Sequence, residues 1–290
     1  ATLAAVSAVA NYRPRRQMGA RLLGIHLEGP FISPRFPGAQ PAEFIRPPDL
    51  DEFMTLAQTG PLRMITLAPE VTGAESLVKL ARQLGLTVVL GHTNADYDEC
   101  LRAVEWGVSQ ATHTYNAMRG LHHRQPGALG AVLSVDAIDA QLIADKVHVH
   151  PAGMKILARC KGVDHTILIS DAIRATGLGP GDYELGGQPV TVAEGECRLA
   201  DGTLAGSILT LDRALVNYMA ASGLSLAEAW PTTSRTPARS IGLAHELGAL
   251  AAGYRADLVL LDQQLAVVAT VVDGELVYLR DDGRMKRGTA

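Results

Sequence analysis

Three side chains that commonly bind metal ions each follow a short hydrophobic stretch of the sequence. Glu28 ends the stretch that begins at residue 21, His92 ends residues 86–92, and His113 ends residues 108–113. One carboxylate and two imidazoles provide three protein ligands for a divalent ion such as zinc and leave a fourth position open for water. An open position on the metal is typical of catalytic sites, so the pattern predicts metal-dependent catalysis. His26 lies on the same face but one layer deeper, and we predict a buried hydrogen-bonding role for it.

Two further polar residues follow the later apolar stretches. His148 ends residues 141–148, and Asp171 ends residues 165–171. A carboxylate beside an activated water can take up its proton and later return it to a leaving group, so we predict Asp171 as the catalytic acid and base. An aspartate at a strand end also commonly caps a helix or forms an Asx turn, which is the alternative. His148 is predicted to polarise a substrate carbonyl or to hydrogen-bond a substrate hydroxyl.

The segments that must position these residues alternate between strand-like and helix-like patterns. Apolar stretches of strand length are predicted at residues 21–28, 62–69, 86–92, 108–114, 141–148 and 165–171. Helices are predicted between them at residues 48–59, 74–84, 96–106, 127–135 and 152–161. Because the strands are apolar throughout, we expect a parallel sheet covered by helices on its faces.

Repeated β/α units with polar residues at the strand ends indicate an α/β fold of the (β/α)₈ TIM-like barrel type, whose active site lies at the carboxyl ends of the strands. The sequence shows only six such strands, and closing this sheet normally takes eight. We therefore expect that the first two strands are missing from this chain and that the natural protein begins earlier; an open barrel is the alternative. Short strands after residue 242 predict a barrel domain at residues 1–242 and a small β-domain at residues 243–290.

The composition limits the classes of partner. The chain has 290 residues, a formal net charge of -4, and 26 basic against 30 acidic residues, without a dense block of Lys or Arg. Neither a nucleic acid nor a membrane surface is therefore expected as a partner, and a small molecule is favoured. Cys100, Cys160 and Cys197 are odd in number and widely spaced, which argues against a disulfide framework and predicts a cytoplasmic protein.

Three loops contain residues that could bind a ligand. Arg119, His122, His123 and Arg124 lie close together after His113, and a guanidinium there would suit a phosphate. The small residues at 203–207 predict a tight turn where the backbone can approach a ligand. The glycine-rich stretch at 175–182 lacks the helix and acidic partner of a dinucleotide-binding motif, so we interpret it as a plain loop before a hairpin near 188–199.

The sequence resembles the N-acetylglucosamine-6-phosphate deacetylase family of the amidohydrolase superfamily in six motifs that occur in the same order. They are residues 26–31, 91–94, 112–118 and 203–207 and the segments that end at His148 and Asp171. The resemblance implies the hydrolysis of N-acetyl-D-glucosamine 6-phosphate to D-glucosamine 6-phosphate and acetate, with one divalent metal ion as cofactor. Zinc is the expected metal, and Fe²⁺ or Co²⁺ would tolerate the same ligands.

The resemblance also implies a role for each matching residue. Glu28, His92 and His113 would hold the metal, Asp171 would be the catalytic acid and base, and His148 would contact the substrate. The other implied substrate contacts are Ala39, Gln40, Asn116, Ala117, Arg124, Leu204, Ala205 and Gly206. The family consists of homodimers in which the residue at the Arg124 position binds the phosphate of the neighbouring subunit's substrate.

Two features depart from the family pattern. Residues 38–40 stand where many members have a histidine, so the amide of Gln40 would replace an imidazole in that substrate contact. The family's first strand, which carries a His-x-His motif or a polar replacement, is not found in these 290 residues, so the sequence places no second metal ion.

Other functions share parts of the pattern. A related hydrolase, such as a cyclic-amide hydrolase or a nucleobase deaminase, would use the same metal ligands without depending on a substrate phosphate. A non-catalytic sugar-phosphate-binding protein would bind the ligand without turnover. A metal-free isomerase on a similar barrel agrees poorly with three metal-ligating side chains.

Overall fold

The computed structural model describes residues 2–12 and 19–281 of the chain. The first part consists of α1 (Thr2–Ala10), β1 (Ile25–Glu28), α2 (Leu50–Thr59), β2 (Leu62–Leu67), α3 (Ala74–Gln83), β3 (Thr87–Leu90), α4 (Tyr97–Trp106), β4 (Val108–Ala111), α5 (Gly127–Ser134), β5 (Asp139–Ile143), α6 (Pro151–Lys161) and β6 (Thr166–Ile169). The second part consists of β7 (Gly181–Leu185), β8 (Gln188–Ala193), β9 (Glu196–Arg198), α7 (Leu211–Ser222), α8 (Leu226–Ala229), α9 (Arg235–Ser240), β10 (Leu258–Leu261), β11 (Val267–Val272) and β12 (Glu275–Leu279).

The strands β1 to β6 form one sheet whose order follows the chain, and each neighbouring pair is parallel. One helix, from α2 to α6, connects each pair of strands, as parallel pairing requires. Both β3 and β5 are buried along their whole length, as expected for strands that are covered on both faces, and the buried residues of β5 include the polar Asp139 and Gln141. The predicted alternation of strands and helices is confirmed.

The barrel prediction is confirmed only in part. In residues 2–12 and 19–281, the parallel sheet has six strands with β1 and β6 at its edges. It is a curled half-barrel, since a closed barrel would pair its first and last strands. The carboxyl ends of all six strands nevertheless meet at one side, which is the side that positions the predicted site.

The predicted strand at residues 141–148 is displaced in the structure. β5 ends at Ile143, and residues 145–149 form a bent loop. The sequence Val147-His148-Val149 has a strand-like pattern, but the Asp145 side chain accepts hydrogen bonds from the backbone N–H groups of Val147 and His148 and turns the chain. His148 therefore projects from a loop, and the prediction that it ends a strand is wrong.

The core lies between the parallel sheet and its helices. In α3 the apolar residues recur at the spacing of one helix face, and this face is buried. Its residues are Ala74, Leu77, Val78 and Ala81. They belong to one hydrophobic cluster with Leu67 of β2 and with Val88 and Leu90 of β3. Within the described ranges, none of the helices combines the length and apolar character needed to cross a bilayer.

Two smaller antiparallel sheets accompany the parallel one. The first, β7–β8–β9, confirms the predicted hairpin and extends it by one strand. The second, β10–β11–β12, confirms the predicted C-terminal β-structure. Arg21, which precedes β1, forms ion pairs with Asp257 at 3.4 Å and with Asp273 at 2.7 Å, so the start of the barrel part contacts this second sheet. The domain boundary between residues 242 and 243 stays a prediction.

Candidate metal centre and substrate cavity

The three predicted metal ligands converge at the carboxyl side of the parallel sheet. Glu28 is the last residue of β1, while His92 and His113 each lie two residues beyond the ends of β3 and β4. Their ligand atoms all lie within 4.8 Å of one another. Nε2 of His92 is 2.8 Å from Oε1 of Glu28 and 3.1 Å from Nε2 of His113, and the remaining distance, from His113 Nε2 to Glu28 Oε1, is 3.4 Å.

These separations fit a divalent cation. Ligand atoms about 2.1 Å from a tetrahedrally coordinated ion lie about 3.4 Å from one another, and the three observed distances range from that value down to 2.8 Å, so small side-chain shifts would accommodate an ion. Two imidazole nitrogens and one carboxylate oxygen also form a donor set that suits zinc-like ions. The site can therefore hold a metal through Glu28, His92 and His113.

The orientation of His92 is set by a loop outside the sheet. Its Nδ1 donates a hydrogen bond to the backbone carbonyl of Phe36 at 2.8 Å, which leaves the lone pair of Nε2 directed at Glu28 and His113. Such outer contacts commonly orient metal-binding histidines. Nδ1 of His113 is buried and has no hydrogen-bond partner among the described residues, so the two imidazoles are supported differently.

The backbone at the site is strained. His92, His113 and Asp171 have φ angles of 47°, 30° and 50°, which fall in the left-handed region that residues other than glycine seldom occupy. Each such residue costs of the order of 1–3 kcal/mol, and such residues cluster at functional sites. The strain coincides with three of the residues that the sequence predicts to do chemistry.

Glu28 and His113 stabilise each other's charged forms. Burial alone would raise the pKa of Glu28, but the hydrogen bonds and charges of His113 and His92 outweigh it and hold that pKa well below its usual range. Burial alone would lower the pKa of His113, but the hydrogen bond and charge of Glu28 outweigh it and raise that pKa. The carboxylate therefore favours positive charge beside it, so protons and a metal cation compete for the same nitrogen atoms.

Asp171 faces the same cavity, two residues beyond β6. Burial, followed by the negative charge of Glu28, raises its pKa. Its backbone carbonyl accepts a hydrogen bond from the N–H of Ser207 at 2.7 Å, which places the turn at residues 203–207 beside it. A carboxyl group with a raised pKa next to a metal site is suited to proton transfer.

A cavity of about 1450 Å³ brings most of the predicted site residues together. Its lining includes Glu28, Ala39, Gln40, His92, His113, Asn116, Ala117, His148, Asp171, Leu204 and Gly206. Two predicted residues are not among the described residues that line it. The side chain of Ala205 is fully buried in the cluster between the turn and the β7–β8–β9 sheet, and Arg124 is exposed on the loop after His113.

The predicted substrate-binding residues already have partners within the protein. The side-chain amide of Gln40 donates to the backbone carbonyl of Glu28 at 3.2 Å, and the carbonyl of Ala39 accepts a hydrogen bond from Gln188 at 2.7 Å. The amide of Asn116 donates to the carbonyl of His113 at 3.2 Å. These contacts tie the cavity wall to the metal ligands and to β8.

The structure also shows supporting residues that the sequence reasoning missed. Glu70 follows β2, and its carboxylate accepts hydrogen bonds from the Thr93 hydroxyl at 2.5 Å and the Asn94 N–H at 2.7 Å, which fixes the turn after His92. Asp145 holds His148, with 2.6 Å between Oδ2 and Nδ1. Glu70 follows a strand end, as the predicted ligands do, and that position could have identified it. The spacing Asp-x-x-His could have identified Asp145.

A parallel β/α sheet that gathers two imidazoles and a carboxylate at its strand ends, with a second carboxylate across the cavity, is typical of metal-dependent β/α-barrel hydrolases. The sequence matches the amidohydrolase family over residues 2–277. The chain belongs to this family, which confirms the resemblance that the motifs indicate.

Curated relatives share about two fifths of the sequence. The chain is 41% identical to N-acetylglucosamine-6-phosphate deacetylase from Lysinibacillus sphaericus over 92% of this chain and 69% of that protein. It is 39% identical to N-acetylgalactosamine-6-phosphate deacetylase from Escherichia coli O157:H7 over 94% of this chain and 73% of that protein.

Solved structures agree with the fold. N-acetylglucosamine-6-phosphate deacetylase from Thermotoga maritima superimposes with a TM-score of 0.84 at 38% identity, over 89% of this chain and 70% of that one. A mutant of the Mycobacterium smegmatis enzyme in complex with N-acetyl-D-glucosamine 6-phosphate superimposes with a TM-score of 0.89 at 36% identity, over 95% of this chain and 73% of that one.

Proposed function

We propose that the protein is a metal-dependent amide hydrolase that converts N-acetyl-D-glucosamine 6-phosphate and water into D-glucosamine 6-phosphate and acetate. The observation that carries the proposal is the convergence of Glu28, His92 and His113 in the cavity that Asp171 also lines. The relative from Lysinibacillus sphaericus and the Mycobacterium smegmatis complex support the choice of substrate.

The proposed reaction assigns one role to each group. A cation held by Glu28, His92 and His113 would supply Lewis-acid activation of the water and of the acetyl carbonyl. Asp171 accepts the proton of the attacking water and returns it to the nitrogen of the sugar as the C–N bond breaks, so the same carboxyl group acts first as base and then as acid. Its raised pKa keeps the protonated form accessible for the second step.

The remaining predicted residues would position the sugar phosphate. Asn116 and Arg124 would bind the phosphate, and His148 would contact the sugar. Ala39, Gln40, Ala117 and the turn at residues 204–206 would enclose the substrate on the other sides. Fixing the phosphate holds the acetamide in place for attack and supplies positioning energy.

We propose zinc as the metal, because one carboxylate and two imidazoles suit it, and Fe²⁺ or Co²⁺ would be tolerated by the same ligands. A cytoplasmic location is proposed from the cysteines, since Cys100, Cys160 and Cys197 are all free in the structure.

A second substrate has a specific observation in its favour. The relative from Escherichia coli O157:H7 is named for N-acetylgalactosamine 6-phosphate and is 39% identical to this chain. The two sugars differ only in the orientation of one ring hydroxyl, so the same metal centre could serve either. The ratio of kcat/KM for the two sugar phosphates decides between them.

Acetate release from purified protein tests the proposal. We expect turnover of N-acetyl-D-glucosamine 6-phosphate, much slower turnover of the unphosphorylated sugar, loss of activity after chelation and recovery with zinc. Elemental analysis of the same sample is expected to show bound metal. Metal-loaded protein that turns over a cyclic amide or a nucleobase, and not the sugar phosphate, would support the related hydrolases instead.

We also propose a homodimer in which Arg124 reaches the neighbouring subunit's substrate. Arg124 is exposed and is not among the described residues that line its own cavity. Mixing two inactive variants, Asp171→Asn and Arg124→Ala, tests this. A mixed dimer has one site with an intact Asp171 and an Arg124 from its partner, so activity should reappear; if the mixture stays inactive after subunit exchange, Arg124 does not act across subunits.

A further inference from the structure

We infer that Asp145 is a positioning residue that fixes the proton of His148 on Nδ1, so that His148 offers Nε2 to the substrate as a hydrogen-bond acceptor. The inference rests on the proposed function, in which His148 contacts the sugar. It extends that function by assigning a residue outside the predicted site and by choosing between the two roles that the sequence leaves open for His148.

The two oxygen atoms of Asp145 have separate tasks. Oδ1 accepts hydrogen bonds from the backbone N–H groups of Val147 and His148, both at 2.8 Å. Oδ2 lies 2.6 Å from Nδ1 of the His148 ring. The first oxygen thus shapes the loop, and the second orients the imidazole that this loop carries.

The pair is shielded from water. The side chains of His148 and Asp145 are only 7% and 11% exposed, so solvent competes little for their hydrogen bond. Burial alone would raise the pKa of Asp145, but that pKa is lowered overall, and the three hydrogen bonds that its carboxylate accepts favour the ionised form whether or not the His148 ring is charged. Asp145 is therefore ionised near neutral pH.

The ionised carboxylate determines the tautomer of His148. A carboxylate without a proton can only accept hydrogen bonds, so Nδ1 of His148 must carry the hydrogen. In a neutral imidazole the other nitrogen, Nε2, is then an acceptor. His148 lines the cavity, and its remaining nitrogen is the atom left for a ligand.

An acceptor at Nε2 of His148 suits a substrate group that can donate a hydrogen bond. A carbonyl oxygen or an oxyanion needs a donor, whereas a sugar hydroxyl can donate a hydrogen bond to Nε2. The geometry therefore favours contact with a ring hydroxyl over polarisation of the acetyl carbonyl. His148 would then add binding energy in both the bound substrate and the transition state, which lowers KM more than it raises kcat.

Nuclear magnetic resonance of the ¹⁵N-histidine-labelled, zinc-loaded protein at neutral pH reads the tautomer directly. The signals of His148 are identified by their loss in His148→Gln. We expect a hydrogen on Nδ1 alone. A hydrogen on Nε2 alone, or on both nitrogens, would overturn the inference whether or not the protein has deacetylase activity.

Asp145→Asn preserves the shape of the side chain and changes the group that faces Nδ1 of His148. The Asn carbonyl oxygen can still accept both backbone hydrogen bonds, while its NH₂ group replaces the oxygen that faces Nδ1. We expect the His148 hydrogen to move to Nε2, and KM to rise about tenfold, the equivalent of one hydrogen bond, with kcat changed less than about threefold. Unchanged tautomer and KM, or a loss confined to kcat, would contradict the inference.

The chain offers a matched control at the opposite end of β5. Asp139 Oδ1 lies 2.8 Å from Nδ1 of His165, and the same carboxylate pairs with Arg239 at 3.0 Å. Asp139→Asn therefore breaks a second Asp–His pair away from the cavity lining and should lower the melting temperature while leaving KM and the His148 signals unchanged.

If wild-type protein releases no acetate from any sugar phosphate, the proposed function fails, and the tautomer measurement still decides the role of Asp145.

Discussion

His92 and Phe36 are joined across 56 positions of the chain by a hydrogen bond of 2.8 Å from the imidazole Nδ1 to the backbone carbonyl. A second bond runs in the reverse direction, because the N–H of Ser33 donates to the carbonyl of His92, also at 2.8 Å. The loop between β1 and α2 therefore holds a predicted metal ligand, His92, through both its backbone and its ring. Substitutions in this loop should alter metal binding.

Gly38, in the same loop, provides a test of how the loop supports His92. Its φ angle is 58°, and a Cβ added there would lie 2.8 Å from Cε1 of His92, which is too close without a shift of the ring. We expect Gly38→Ala to weaken metal binding and activity by about 10- to 100-fold, as loss of an outer support commonly does. Competition with a chelator of known affinity measures the effect.

Gly186 separates the contact with His92 from backbone strain. Its φ angle is 59°, nearly that of Gly38, but nothing lies within 4 Å of an added Cβ, and it also lines the cavity. Gly186→Ala should cost a similar strain energy without moving His92, so its metal affinity should stay near that of wild type. Equal weakening in both variants would show that strain alone is responsible.

Metal content should depend on the three converging side chains and not on their neighbour His26. Glu28→Gln removes the only charged ligand, so we expect the purified variant to lose stoichiometric metal on gel filtration. His26→Gln is the control, because His26 bonds the Thr66 hydroxyl at 2.7 Å and is predicted not to bind metal. It should keep its metal and lose about 1 kcal/mol of stability at most; loss of metal there would place His26 in the ligand set.

The convergence of the three predicted ligands could be anticipated because each of them is marked by a local pattern. Glu28, His92 and His113 each follow a short apolar stretch, and parallel strands bring their carboxyl ends to one edge whatever the intervening sequence. The same rule placed Asp171 beside them. Three separate local signals were therefore enough to define a site made of distant residues.

The supporting contacts could not be predicted in this way. Glu70 and Asp145 are marked only by their position and spacing, and Phe36 is not marked at all, because these contacts depend on loop conformations that leave no periodic pattern. The apolar spacing around His148 even favoured a strand, because the hydrogen bonds of the Asp145 side chain that bend the chain are invisible to hydrophobic periodicity. The left-handed conformations of His92 and His113 were equally hidden, since residues other than glycine, histidine included, adopt them only in a minority of cases.

Asp171→Asn tests the proposed acid and base. The amide cannot take the proton of water, so kcat should fall by about 10²- to 10⁴-fold. Metal content and the binding of an unreactive substrate analogue should be retained, because Asp171 is outside the predicted ligand set. A variant that keeps more than about a tenth of the wild-type rate would assign proton transfer to another group.

The acid side of the pH profile should reflect Asp171. Burial and the charge of Glu28 raise the pKa of Asp171. Because the base is active only when ionised, kcat/KM should be at its full value above that pKa and should fall as the pH decreases through it. The loss should therefore begin above the usual aspartate value of about 3.9. Metal content must be measured at each pH, since protonation of His113 would release the metal; full activity below about pH 4 with bound metal would contradict the assignment.

Thiol reactivity should distinguish the three cysteines. Burial, with a smaller contribution from the charge of Glu70, raises the pKa of Cys100 to about 12, and burial also raises the pKa of Cys197, whereas Cys160 is exposed. Because the thiolate is the reactive form, we expect one of the three thiols to react quickly with a disulfide reagent in the native protein and all three to react in denaturant. Cys160→Ser should remove the fast phase, and fewer than three titratable thiols in denaturant without reductant would indicate a disulfide that the structure does not contain among its described residues.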